Sequence, residues 1–129
     1  MKLKIVTPTR ILVDTEVDEI LAPGAEGQFG VLPQHVTFLG LLDLGVLSYV
    51  VAGETKSVVV HGGYGEVLGE DVTILADDAE FPEEIDPAEA KAGLAAVESD
   101  LAKASDSTDE VDVLLRARRL AEARISTAV

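Results

Sequence analysis

Cysteine and tryptophan are absent from this 129-residue chain, and aromatic residues make up only 4% of it. Without cysteine there is neither a disulfide framework nor a thiolate metal site. With so few rings, a core has to be assembled from Val, Leu, Ile and Ala, and 47% hydrophobic residues is an ordinary supply for a globular protein. Basic residues are scarce: 10 Lys and Arg stand against 24 Asp and Glu, a net charge of −14. Nucleic acid and anionic lipid surfaces are gripped by clusters of Lys and Arg, so nucleic acid is not expected as a partner. The acidity reads as a solubilising charge. No apolar run approaches the length of a membrane span, so direct membrane insertion is not expected. The opening Met-Lys-Leu-Lys-Ile-Val-Thr-Pro enters a strand-like pattern at once, without a long apolar signal region or an Arg/Ser-rich transit segment. The expectation is a soluble, intracellular protein that meets a membrane only through another protein. The length suits one compact domain, or a small domain with an appendage.

Two grammars divide the chain. Residues 1–84 carry short Val-, Ile- and Leu-rich runs punctuated by Gly, Pro and Asp, which predicts strands over 3–7, 11–16, 19–22, 28–32, 38–42, 46–51, 55–60, 65–68 and 72–76. Val51-Ala52-Gly53-Glu54-Thr55 reads as a hairpin turn between two long runs. Many strands at close spacing point to a sandwich or barrel rather than to βαβ units. The unbroken run Val58-Val59-Val60 implies a strand covered on both faces.

In residues 85–129 Gly becomes scarce and Ala dominates. Ile85-Asp86-Pro87-Ala88-Glu89 reads as a helix start, with Asp86 as the cap, Pro87 at the first helical position and Glu89 placed to reach back. Ala90, Leu94, Val97, Leu101 and Ala104 then form one apolar stripe. Ser105-Asp106-Ser107-Thr108 breaks it, Ser107 and Glu110 form a second capping box, and Val111, Leu114, Leu115, Ala121 and Ile125 give a second stripe. The fold class is thus an all-β sandwich followed by an antiparallel two-helix hairpin. Each helix is short enough to be marginal alone, so the pair needs a surface to lean on and is a candidate mobile element.

Chemistry-bearing patterns are few. His35 and His61 lie far apart, fit no ligand or triad spacing, and are read as making loop hydrogen bonds. The serines have no nucleophile-elbow context. Gly24-Ala25-Glu26-Gly27 and Gly62-Gly63-Tyr64-Gly65 lack the Lys-Ser/Thr ending of a phosphate loop and lead into no helix, so they read as tight turns and close strand crossings. Nothing here reads as an active site, and no metal site is expected.

Two segments are distinctive: Glu26-Gly27-Gln28-Phe29-Gly30-Val31-Leu32-Pro33-Gln34-His35, and Val60-His61-Gly62-Gly63-Tyr64-Gly65-Glu66-Val67 continuing to 72–80. Their sequence, order and separation resemble the signatures of the epsilon subunit of bacterial and plastid ATP synthases, and the β-then-hairpin architecture is similar across essentially the whole chain. The resemblance implies a flattened sandwich of about ten strands and a non-catalytic rotor subunit of a proton- or sodium-translocating synthase. It implies a coupling domain at 1–84 and a regulatory hairpin at 85–129. The implied partners are the gamma subunit, the c-ring and, when the hairpin extends, the catalytic alpha/beta head. The implied location is peripheral, on the cytoplasmic face of the bacterial inner membrane or the stromal face of the thylakoid.

By the same resemblance, Gln28, Phe29, Val31, Leu32, Pro33 and His35 match the region that meets the c-ring and gamma. Gln28 stands where many relatives have an acid, which replaces a charged contact by a hydrogen bond. Arg116, Arg118, Arg119 and Arg124 match a basic cluster suited to acidic loops of the catalytic head, and through them the hairpin would inhibit ATP hydrolysis. Some relatives bind ATP at a motif of an aliphatic residue, Asp, two variable residues, Arg and Ala. Ile85 and Asp86 match it, but Glu89 replaces the Arg and inverts the charge facing a phosphate. Two other functions stay open: a free-standing nucleotide sensor, which would need a base near Asp86 where only Lys91 is available, and a small β-sandwich enzyme, which would need a pocket of convergent polar groups.

Overall fold

The computed structural model describes residues 1–24, 27–31, 38–104 and 108–128. Eight strands precede two helices: β1 (Lys2–Val6), β2 (Ile11–Glu16), β3 (Glu19–Gly24), β4 (Gly27–Val31), β5 (Phe38–Val51), β6 (Glu54–Leu68), β7 (Asp71–Ala76), β8 (Ala79–Glu80), α1 (Pro87–Lys103) and α2 (Thr108–Thr127). A 3-10 turn, Pro82–Glu84, joins β8 to the helices. Hydrogen bonding runs in the order β2-β1-β7-β6-β5-β3-β4, with β8 on β6. All pairs are antiparallel except β1 with β7.

The strand count is lower than expected because the predicted strands at 38–42 and 46–51 are one strand, β5, and those at 55–60 and 65–68 are one strand, β6. These two long strands pass through both layers of the sandwich. Their ladder skips the Asp43–Gly62 position between Leu42↔Gly63 and Leu44↔His61. The crossing is possible because Gly62 and Gly63 adopt φ 94° and 135°, which L side chains rarely adopt, and a Cβ on Gly63 would run into the Leu75 carbonyl oxygen. Inward and outward positions exchange at this bend. Val58 and Val60 face the sandwich core before it, and Val67 does so after it, while Tyr64, Glu66 and Leu68 turn outward. The Val58-Val59-Val60 run is covered on both sides as predicted, with Val58 and Val60 in the sandwich core and Val59 beneath the helices.

At the far end, Val51 pairs with Glu54 across a two-residue turn in which Ala52 and Gly53 both have positive φ, 51° and 80°. That geometry matches the right-handed twist of the flanking strands. The core is aliphatic: Leu3, Ile5, Ile20, Leu47, Val58, Val60 and Ile74 are fully buried, with Phe29 and Phe81 packed at its edge.

Asp86 caps α1 as its sequence suggests, its carboxylate accepting from the Ala88 and Glu89 N–H groups, with Pro87 in the first turn. The expected cap of α2, Ser107, lies outside the described residues. Both predicted stripes are the sheltered faces of their helices. α1 packs on α2, and α2 carries the hairpin's contact with β5 and β6. A second cluster of Val59, Ile85 and Ala90, closed by Leu120, Ala123 and Ile125, forms the seam between hairpin and sheet.

Candidate functional site: an arginine face and an apolar row

The long strands leave a polar notch where their ladder breaks, and three arginines of α2 fill it and its surroundings. Arg116 donates to the His61 carbonyl at 3.0 Å. Arg119 donates to the Asp43 carboxylate at 2.6 Å and to the Leu44 carbonyl at 3.3 Å. Arg124 donates to Glu80 of β8 at 2.9 Å and lies 3.7 Å from Glu89 of α1. Arg119 and Arg124 follow Arg116 by three and eight residues, within about 80° of it around the helix, which keeps all three on the side of α2 that meets the sheet. Arg118 points elsewhere and pairs along its own helix with Glu122 at 3.7 Å. The predicted basic cluster is therefore split: three members are occupied by the sandwich, and one is turned away from it.

Asp43 is the electrostatic centre of the notch. Burial alone would raise its pKa. The Leu44 N–H, the Arg119 guanidinium and the nearby charge of Arg116 outweigh that effect and hold the carboxyl below the usual carboxylate range. Arg124 is the most sheltered of the four arginines, and its bond to the half-buried Glu80 is screened least by solvent.

His61 lies within β6, not in a loop. Its backbone N–H donates to the Asp78 carbonyl, its carbonyl accepts from Arg116, and its ring Nε2 is buried without a hydrogen-bond partner among the described residues. The loop hydrogen bond expected of it is not made. Its counterpart His35 lies outside the described residues, as do Leu32 and Pro33. Of the other expected contact residues on β4, Gln28 is exposed, Phe29 packs against the core, and Val31 is buried within it. Phe29 and Val31 therefore help hold the strand in place, and Gln28 is the exposed member among the described residues.

The residues that resemble an ATP motif are engaged within the fold. Ile85 is buried against Val59 and Ala90, Asp86 is consumed as the helix cap, and Glu89 extends toward Arg124. Glu83 adds a carboxylate to the adjoining 3-10 turn, while Glu80 and Glu84 are paired with Arg124 and Arg10. A cleft of about 740 Å³ lies between the β5–β6 end and the end of α2, lined by Tyr49, Lys56, Ser57, Glu83 and Ser126 among others. Among the described residues Lys56 is the one cation lining it, and burial, reinforced by Glu83, pushes the Tyr49 phenol up, away from a reactive phenolate. Among the described residues no three His, Cys, Asp or Glu side chains gather to hold a metal ion.

A second surface was not legible as a motif. Leu41, Tyr64, Leu75 and Val6 lie in register across β5, β6, β7 and β1, and Ile11 of β2 extends the row. Leu41, Tyr64, Leu75 and Ile11 are each more than half exposed, and Leu39 stands beside them. A run of large apolar side chains across five strands is what an unpartnered interface presents. It borders the notch: Leu41, Tyr64, Asp43 and Arg116 line one cleft. No helix among the described residues is long and apolar enough to cross a membrane.

The family model for the "ATP synthase, Delta/Epsilon chain, beta-sandwich domain" matches residues 1–82. The chain is 43% identical over 128 residues to the ATP synthase epsilon chain of Solibacter usitatus, covering 99% of this chain and 95% of the relative. It is 40% identical over 128 residues to that of Geotalea uraniireducens, covering 99% and 93%. Its fold is similar to a chain in the mitochondrial ATP synthase of Euglena gracilis (OSCP/F1/c-ring), with TM-score 0.81, 23% identity and coverage of 94% and 76%. It is also similar to one in the central stalk/c-ring of the Tetrahymena thermophila mitochondrial enzyme, with TM-score 0.68, 15% identity and coverage of 99% and 96%. The chain therefore belongs to the ATP synthase delta/epsilon family, as a non-catalytic epsilon chain of that synthase.

Proposed function

We propose that this epsilon chain is a rotor subunit in which residues 1–84 couple the gamma subunit to the c-ring and residues 85–129 act as a brake on ATP hydrolysis. The observation that carries the reading is the apolar row from Leu41 to Ile11, exposed on a sandwich whose neighbouring surface is covered by its own hairpin. Gamma is assigned to this row: burying several such side chains contributes about 1.5–3 kcal/mol each. The c-ring is assigned to the end of β4 at Gln28 and to residues 32–35. The subunit works peripherally, at the cytoplasmic face of a bacterial membrane or the stromal face of the thylakoid, in a synthase that moves protons or sodium ions.

In the docked hairpin, Arg119 and Arg124 pair with the carboxylates of Asp43 and Glu80, and Arg116 donates to the His61 carbonyl of the sandwich. Acidic loops of the alpha/beta head offer the same chemistry. The hairpin thus exchanges one set of carboxylates for another, and the small apolar seam around Val59 and Ile85 keeps the exchange affordable. A free-standing nucleotide sensor is disfavoured by the negative charge around Asp86 and by the structural duties of Ile85 and Asp86. The test is Tyr64→Asp. It leaves the isolated fold within about 0.5 kcal/mol of the parent because Tyr64 is exposed. It lowers affinity for a gamma–c-ring complex at least about tenfold, the cost of placing a charge in an apolar contact. Unchanged binding would remove the row from the coupling interface.

A further inference from the structure

Arg10 belongs to none of the motifs above, yet it organises the connection between sandwich and hairpin. Its backbone is fixed in the β1–β2 turn: Thr7 N–H donates to the Arg10 carbonyl at 2.9 Å, and the buried Thr7 hydroxyl accepts from the Arg10 N–H at 3.3 Å. From there the guanidinium reaches 69 to 74 residues along the chain. It binds the Glu84 carboxylate through two parallel bonds of 2.8 and 2.7 Å and the Ala79 carbonyl at 3.2 Å, and it lies 5.8 Å from the centre of the Phe81 ring. Glu84 Oε1 also accepts from the Phe81 N–H at 2.8 Å. The Arg10 hydrogen bond, with the Phe81 N–H second, holds the Glu84 carboxyl below its usual range. One side chain thus ties β8, Phe81 and the 3-10 turn to the sandwich.

The tie stops abruptly. Ile85 and Asp86 are extended, at φ/ψ −88°/125° and −85°/111°, between the 3-10 turn and the first turn of α1. Asp86 spends its carboxylate on its own helix. The hairpin is otherwise held to the sandwich through α2 and the seam at Ile85.

We infer that Arg10 is the clamp that fixes residues 81–84, beyond the β8–β6 ladder, to the sandwich and so places the hinge of the hairpin at Ile85–Asp86. The inference rests on the reading that the hairpin detaches. Hinges are short element-terminal segments that absorb backbone rotation between rigid parts, and these two residues alone separate a pinned turn from a capped helix. On opening, the bonds of Arg116, Arg119 and Arg124 break, while Glu80 and Glu84 stay behind with the sandwich. The clamp also limits reach. Freeing residues 81–84 would add roughly 14 Å of extended chain to helices about 25 and 30 Å long.

Hydrogen exchange on the full chain, read by mass spectrometry with fragments resolving residues 81–84, tests this with the parent, Arg10→Ala and Arg10→Lys. The expected result for the parent is that α1 and α2 amides exchange at least about tenfold faster than those of Phe81 and Glu84. Arg10→Ala brings the Phe81 and Glu84 amides to the hairpin rate and leaves β5 and β6 unchanged. Arg10→Lys, which cannot form the two-bond fork, behaves like Arg10→Ala. If residues 81–84 open together with the helices in the parent, the hinge lies earlier and the inference fails while a detachable hairpin stands. If Arg10→Ala leaves residues 81–84 protected, Arg10 is not the clamp. If helices and strands are equally protected in the parent, the hairpin does not detach, and both the inference and the braking reading fall.

Discussion

Arg119 of α2 donates to Asp43 of β5 across 2.6 Å, joining a residue of the helical hairpin to the one position at which the ladder of the two longest strands is broken. The strand crossing that shapes the sandwich also creates the carboxylate that holds the hairpin down.

That pair gives docking a pH dependence with a defined sign. Asp43 is held below the usual carboxylate range first by the Leu44 N–H of its own strand and then by Arg119 and Arg116, and only the part due to the arginines is lost on release. A depressed pKa contributes in full above the free value, near 4, and is lost as pH falls through the docked value. Docking is therefore flat from neutral pH to about 5 and weakens below about 4. Asp43→Asn removes this slope and costs roughly 0.5–1 kcal/mol of docking at neutral pH, a two- to five-fold change, because the pair is partly exposed. The chain lacks cysteine, so energy transfer between dyes on Asp18→Cys and Asp112→Cys reads docking without background labelling.

Gly63→Ala is expected to be severe. Its φ of 135° and the collision of a Cβ with the Leu75 carbonyl oppose any side chain. A loss of about 3 kcal/mol or more in urea unfolding is predicted. Gly30→Ala, where the nearest atom is 3.9 Å away and φ is ordinary, stays within about 1 kcal/mol.

The arginines separate by what they touch. Charge reversal at Arg116 and Arg119 both loosens docking and relieves inhibition of ATP hydrolysis in the assembled enzyme. Arg118→Glu relieves inhibition while docking is unchanged, because among the described residues Arg118 forms its ion pair with Glu122 of its own helix and none with the sandwich. Full inhibition by all three variants would take these side chains out of the contact with the catalytic head.

The fold was largely legible in the sequence because its signals are local. Val58-Val59-Val60 announced a doubly covered strand, Asp86-Pro87 a capped helix, and two stripes the faces that shelter each other. Continuity was not legible: Asp43 and Gly62-Gly63 look like strand breaks, and only the pairing of Leu42 with Gly63 and of Leu44 with His61 makes them a bend. The apolar row was hidden for a related reason. Ile11, Leu41, Tyr64 and Leu75 come from four strands, and each alone is an unremarkable exposed residue. Arg10 was invisible because its partner Glu84 lies 74 residues away. The basic cluster was visible as composition, but which of its members face the sandwich depends on how α2 is rotated against β5 and β6.

ATP hydrolysis by the assembled synthase, compared between the full chain and one ending at Glu84, tests the central claim most directly. The shortened chain keeps the apolar row, Gln28 and the Arg10–Glu84 clamp and loses all four helix arginines. The account predicts that hydrolysis rises while the enzyme stays assembled and coupled. Unchanged hydrolysis would contradict the hairpin as a brake, and failure of both versions to join the enzyme would contradict the sandwich as the coupling piece.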